Sequence, residues 1–179
     1  GTADVFIVEP DAEALKEAEK RAKSDREHRA ALQALIGLPN VTKDGRSIDI
    51  YANIGSVEDA VLANNNDAGG VGLFRTEFLY LAANDFPSED TLFEAYKKAA
   101  QILGSKKLVI RTLDIGADKQ TDYLKLDKED NPALGLRAIR VCLTRPEIFK
   151  TQLRAMLRAA AFGNVAIMLP MVISLWEFE

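Results

Sequence analysis

Two arginines, Arg75 and Arg111, occupy the same local setting: each ends an apolar run and each is followed by threonine. The first run is Val71-Gly72-Leu73-Phe74-Arg75-Thr76-Glu77-Phe78, behind Gly69-Gly70; the second is Leu108-Val109-Ile110-Arg111-Thr112-Leu113-Asp114. Short β-branched and apolar runs of this kind suit buried strands. Counted by twos, Val71, Leu73, Arg75 and Glu77 share one face, with Phe74 and Phe78 on the other. A guanidinium is a planar fork matched to carboxylate or phosphate oxygens, so two of them at neighbouring strand ends would clamp a small dianion. The alternative is local: each arginine pairs with Glu77 or Asp114 at the surface, as exposed charges commonly do. The repeated pattern gives the clamp equal standing with local pairing, and the sequence leaves both open.

Strand ends need a scaffold, and from residue 47 the chain alternates β and α signals. Residues 48–53 read as a strand, and Ser56 with Asp59 forms a capping box for a helix over 57–67. After the residue-71 strand, Pro87-Ser88-Glu89-Asp90 opens a helix with acidic residues in its first turn. It carries Leu92, Phe93, Tyr96, Ala99, Ala100 and Leu103 at helical spacing and stops at Gly104. The residue-108 strand follows, then a long connection over 114–135 rich in Asp, Gly and Lys. The pattern predicts a short helix over 136–143, another opened by Thr144-Arg145-Pro146-Glu147 and running to about Phe162, and a fourth buried strand over 166–172. Alternation of this kind implies parallel pairing through right-handed crossovers. In a (β/α)8 barrel chemistry sits at the carboxyl ends of strands, where Asn53, Arg75 and Arg111 fall in succession. No glycine-rich dinucleotide fingerprint or phosphate loop follows the first strand.

Upstream, residues 4–8 form a brief strand-like run too short for a domain, closed by Glu9-Pro10. Asp11 caps a helix expected to reach Leu35 or Ile36, before Gly37 and Pro39. Between Lys16 and Ala30 this helix is charged or small throughout, the mark of a solvent-bridging connector. Its His28, the sole histidine, reads as a solvated bystander. The whole chain of 179 residues is 47% hydrophobic and 28% charged, within the range of soluble globular domains. A net charge of −4 supplies no basic stripe for nucleic acid or an anionic membrane. No apolar run approaches the ~20 residues that span a bilayer, and no signal-like leader is visible. The single cysteine, Cys142, excludes an internal disulfide and fits a reducing compartment, so the cytoplasm is expected. Cys142 reads as a small buried residue, and the acidic residues of the long connection as solvated charges without calcium-loop spacing.

Three motifs in order carry a resemblance: Gly72-Leu73-Phe74-Arg75-Thr76-Glu77-Phe78-Leu79, Arg111-Thr112-Leu113-Asp114-Ile115-Gly116-Ala117-Asp118-Lys119, and Asn131-Pro132-Ala133-Leu134-Gly135-Leu136-Arg137-Ala138-Ile139-Arg140. With Ala52-Asn53-Ile54-Gly55 and Ile7-Val8-Glu9-Pro10, they make the chain similar throughout to the enzyme I family of the bacterial sugar phosphotransferase system, the phosphoenolpyruvate–protein phosphotransferases. Dikinases and synthases that use phosphoenolpyruvate share the arginine strand but resemble the other wording less closely.

The resemblance implies an α/β fold: the first half of a (β/α)8 TIM-type barrel over 47–179, preceded by a long connector helix and linker over 11–46. Residues 1–10 would be the tail of an upstream swivelling phosphohistidine domain. It implies that Arg75 and Arg111 hold the phosphoryl group of phosphoenolpyruvate, that Arg137 adds a further basic group, and that Asn53 and Lys119 line the same mouth. The activity implied is phosphoryl transfer to an enzyme histidine and on to a histidine-containing phosphocarrier protein for sugar uptake, by a cytoplasmic homodimer. The family's Mg²⁺ ligands, proton-donor cysteine and acceptor histidine match no position here, so the chain is expected to be an inactive fragment whose Mg²⁺ is held by residues beyond 179. The alternatives are a dikinase or synthase relative, and a non-catalytic phosphate-binding half-barrel module. Half a barrel would expose two strand edges, the residue-48 and residue-167 strands, and should associate through them.

Overall fold

The computed structural model describes residues 7–117 and 123–178, which fall into two compact units, one up to Pro39 and one from Asn40. The strand-like run predicted at residues 4–8 lies largely outside them, as does Lys119.

The first unit is dominated by one helix, α1 (Ala12–Gln33). Asp11 caps it, accepting from the Ala14 N–H at 2.7 Å. None of its residues is buried, as its charged middle requires. The helix ends two to three residues before the expected stop, because residues 34–37 wind into turns that reach Gly37 in the left-handed region (φ 82°). His28 is exposed among the charges of α1.

The second unit is an α/β structure around a parallel four-stranded sheet in the order β1 (Ala52–Ile54), β2 (Gly70–Arg75), β3 (Lys107–Arg111), β4 (Val165–Met168). Its helices are α2 (Val57–Asn65), α3 (Glu77–Leu81), α4 (Glu89–Leu103), α5 (Ile139–Thr144) and α6 (Pro146–Ala159). Sequential strand order with crossovers of one hand puts the connecting helices on one face. There α2, α4 and α6 pack on the strands and on one another. The predicted box at the start of α2 is present: Ser56 accepts from the Asp59 N–H, and Asp59 accepts from the Ser56 and Gly55 N–H groups. Ser88 caps α4.

Several boundaries differ from the pattern-based reading. β1 begins at Ala52 rather than Ile48, because residues 48–51 are exposed and find no strand partner. Residues 77–81 form the short helix α3, where the sequence reads as more strand. α5 starts at Ile139 rather than Leu136, after Ala138 takes up φ 52°. β4 stops at Met168, since Pro170 cannot donate to the ladder and Met171 adopts φ 64°.

The largest correction concerns β2. Ala52 pairs with Val71 and Asn53 with Leu73, while Val71 pairs with Leu108 and Phe74 with Ile110. Gly72 is thus surplus on β2, a bulge against both neighbours. Strict alternation predicted Val71 with Leu73 and Arg75; the bulge breaks that count. Val71 joins Phe74, Ile54, Leu108 and Ile110 on the helix-covered face, all buried. Phe74 meets Tyr96 of α4 edge-to-face, ring centres 5.9 Å apart. The opposite face carries Asn53, Leu73, Arg75, Val109 and Arg111, and none of these is fully buried.

Candidate functional site

Beyond the bulge, Arg75 pairs in register with Arg111, and Arg111 with Met168. The two arginine backbones therefore lie about 4.8 Å apart at the carboxyl ends of adjacent parallel strands. Both side chains stand on the face away from the helices. The surplus residue is what puts them there together, since regular pairing from Val71 would set Phe74 opposite Arg111.

The two arginines are held in contrasting ways. Arg75 is exposed and lies over the Phe78 ring, 5.2 Å from its centre, with no carboxylate partner among the described residues. Phe78 itself abuts Gly55, where a Cβ would come within 2.8 Å of the ring. Arg111 is mostly buried and donates to Glu77 Oε1 at 2.6 Å, while its other terminal nitrogen meets Asp114 Oδ2 at 3.0 Å. Local pairing is therefore one-sided: Arg111 takes both nearby carboxylates, and Arg75 takes neither.

Asp114 also binds Arg137, whose Nε and a terminal nitrogen donate to its Oδ1 at 3.1 and 3.0 Å. Asp114 is consequently no solvated loop charge, as the sequence suggested, but a bridge between the second and third arginines. The Ala138 N–H donates to the Ile115 carbonyl at 3.4 Å beside it, so the long connection leaves and rejoins the sheet at one neck. Glu129 likewise builds the loop rather than facing water, accepting from the Leu136 N–H at 2.9 Å. Arg140 donates to the Leu134 and Gly135 carbonyls and faces the loop backbone instead of the cluster. Asn53 is exposed on β1, opposite Leu73 and so two residues down the strands from Arg75.

Three guanidinium groups facing two carboxylates leave one net positive charge. Each terminal nitrogen of Arg111 keeps a second N–H beyond its internal partner, and the whole fork of Arg75 is open. An oxyanion arriving on the open face meets Arg75 first and shares Arg111, whose direction Glu77 and Asp114 already fix. Such pre-oriented donors suit a group whose oxygens gain or spread charge during transfer.

Among the described residues no group of three or more His, Cys, Asp and Glu side chains is placed to hold a metal ion. Glu77 and Asp114, the carboxylates closest to the arginines, are engaged by guanidinium, so these residues do not fit the Mg²⁺ that the resemblance implies. Cys142 is buried in α5, and burial first, then the Asp114 charge, pushes its thiol up to about 12. It stays protonated and faces the core.

Sequence reasoning named Glu77 and Asp114 as arginine partners at the surface, but missed that both turn to Arg111 and are largely buried there, that Asp114 bridges to Arg137, and that Phe78 seats Arg75. Adjacency to the arginines in the motifs is the one available signal for Glu77 and Asp114. Nothing in the sequence marks the Phe78 contact, because α3 reads there as strand.

No helix among the described residues is long and apolar enough to cross a membrane. A family model described as PEP-utilising enzyme, PEP-binding domain, matches residues 29–179. The chain is 46% identical over 173 residues to the phosphoenolpyruvate-protein phosphotransferase of Bacillus subtilis, covering 97% of this chain and 30% of that protein. It is 46% identical over 178 residues to the protein of the same name from Staphylococcus carnosus, covering 99% and 31%. With that of Haemophilus influenzae it shares 46% over 172 residues, covering 96% and 30%. The chain thus spans under a third of the length of these curated relatives.

Proposed function

The chain belongs to the family of PEP-utilising enzymes, in their PEP-binding domain, and on that footing we propose that Arg75 and Arg111 receive the phosphoryl group of phosphoenolpyruvate between them. Arg137, tied to Arg111 through Asp114, extends the positive surface toward the carboxylate end of the ligand, and Asn53 and Lys119 complete the rim. The observation that carries the reading is the in-register placement of Arg75 and Arg111 on the sheet face away from the helices. Phosphoryl transfer asks mainly for positioning and charge neutralisation, and that pair offers both.

In this reading the sheet is the first half of a (β/α)8 barrel, residues 1–10 belong to a swivelling domain, and residues 11–46 connect the two. The parent protein moves phosphoryl from phosphoenolpyruvate to one of its own histidines and then to a small histidine-containing phosphocarrier protein, as a cytoplasmic homodimer. The names of the relatives support this branch over the dikinases and synthases. The present chain binds the ligand without turning it over. Any divalent cation finds its ligands outside the described residues.

The test is a titration of this chain with phosphoenolpyruvate and with inorganic phosphate, followed by amide and guanidinium resonances. The expected shifts centre on Arg75, Arg111 and Arg137 and vanish in Arg75→Ala. In the parent protein, Arg75→Ala should slow self-phosphorylation by roughly 10²–10³, the usual cost of one lost charge-stabilising donor. Arg75→Lys should restore part of it, since lysine lacks the fork. Self-phosphorylation at the normal rate in Arg75→Ala would remove this reading.

A further inference from the structure

One polar side chain in the core of the second unit has no place in the site described above, yet two of its three bonds end at the site's supports. Gln152 lies on α6 and is fully buried. Its helix turns an otherwise apolar stripe inward, Ile148, Ala155, Met156 and Ala159, so an apolar residue is what packing alone would put at 152. The amide instead donates to Thr76 Oγ1 at 3.0 Å and to the Tyr96 hydroxyl at 3.2 Å, and accepts from the Leu113 N–H at 2.9 Å. Thr76 passes the connection on, donating from Oγ1 to the Arg111 carbonyl at 2.8 Å.

Thr76 is the residue after Arg75 and leads to the Arg111 carbonyl, Leu113 lies two residues beyond Arg111, and Tyr96 belongs to the core on α4. At this height the sheet has run out. The Thr112 N–H still takes the Met168 carbonyl of β4, but the next N–H along the chain faces β2, whose last pair with β3 is Arg75 with Arg111. The Leu113 N–H therefore has no strand to bond, and Gln152 stands in for one. We propose that Gln152 is a positioning residue: through Thr76 and Leu113 it fixes the two strand ends, and hence the spacing and direction of the Arg75 and Arg111 guanidinium groups. The inference rests on the reading of those arginines as the phosphoryl site. An amide at 152 serves a purpose that an aliphatic side chain of equal size, which would fill the space as well, cannot.

Gln152→Met keeps the volume and removes all three bonds. Thr76→Val keeps the shape and breaks the relay at its middle, so it decides the matter should the first variant fail to fold. Inorganic phosphate is titrated into the intact chain at a temperature where wild type and variants are fully folded, with Arg75→Ala and Arg111→Ala alongside. Both relay variants should weaken phosphate about tenfold, as small misplacements of binding groups do. The Arg75 and Arg111 guanidinium resonances should broaden or shift before phosphate is added, and the double variant should add nothing further. A purely structural role would lower the melting temperature and leave the affinity of the folded protein untouched. Wild-type affinity in both variants, with Arg75→Ala still deficient, would overturn the role of Gln152 alone. Equal phosphate affinity in wild type and both arginine variants would overturn the site on which it rests, and this inference with it.

Discussion

At the scale of single residues, the two strand-end arginines carry one proposed job under different constraints, and substitution should separate job from constraint. Arg75 is exposed and rests on Phe78, so Arg75→Ala should cost under about 1 kcal/mol of stability. Arg111 neutralises Glu77, whose side chain is 3% exposed. Removing it leaves a buried carboxylate without its counter-ion, which costs about 3–5 kcal/mol. Both variants should lose phosphate binding, whereas chemical denaturation should show a large loss of stability for Arg111→Ala alone. Equal stabilities would mean that Glu77 is hydrated in the absence of Arg111. The sequence could supply the residue types at these positions but not this asymmetry. Arg75 and Arg111 look alike in their motifs, and burial of Glu77 depends on α3 folding back over the strand ends.

Among the elements, those whose signals are local were legible and those set by neighbours were not. The capping box Ser56–Asp59, the Ser88 start of α4 and the amphipathic spacing of α4 each follow from a few adjacent residues, and each is present. The β1 and β4 boundaries depend on where a partner strand ends, and α3 on a turn that Thr76 makes when its hydroxyl reaches the Arg111 carbonyl. The Gln152 relay was invisible for the same reason, its members being 76, 56 and 39 residues apart along the chain. One element contact is open to direct test. The turn between β1 and α2 meets α3 where Gly55 faces the Phe78 ring. Gly55→Ala should displace that ring and with it the seat of Arg75, weakening phosphate severalfold for a loss of stability of about 1 kcal/mol. Unchanged affinity would show that Arg75 needs no aromatic seat.

At the scale of the whole second unit, β1 and β4 each pair on one side only among the described residues, and α2, α4 and α6 cover the sheet face opposite the arginines. Beyond β4, Ile173, Leu175, Trp176 and Phe178 are each more than two-thirds exposed. An apolar strand end beside an unpaired edge is a surface that finds a partner. This chain by itself should therefore associate at micromolar concentration, with sedimentation that depends on concentration and with binding of a dye for apolar surface. A monomer that melts cooperatively and binds no dye would show that the edges are self-sufficient. Alkali should act on the same unit from within. The Cys142 thiol, raised from 9.0 to about 12, contributes stability that is whole below pH 9 and lost as the pH climbs toward 12.

The surplus residue in β2 has one more consequence, for changes in chain length. Take Gly72 away, and Leu73 and Phe74 keep their partners on β1 while Phe74 and Arg75 keep theirs on β3, because the excised residue is paired with neither strand. Take one residue from the middle of β3 instead, and everything after it slides by a place, carrying Arg111 out of step with Arg75 and turning it toward the helices. Two central strands of one sheet thus differ in what they can lose: β2 holds a residue in reserve, and β3 has none to give.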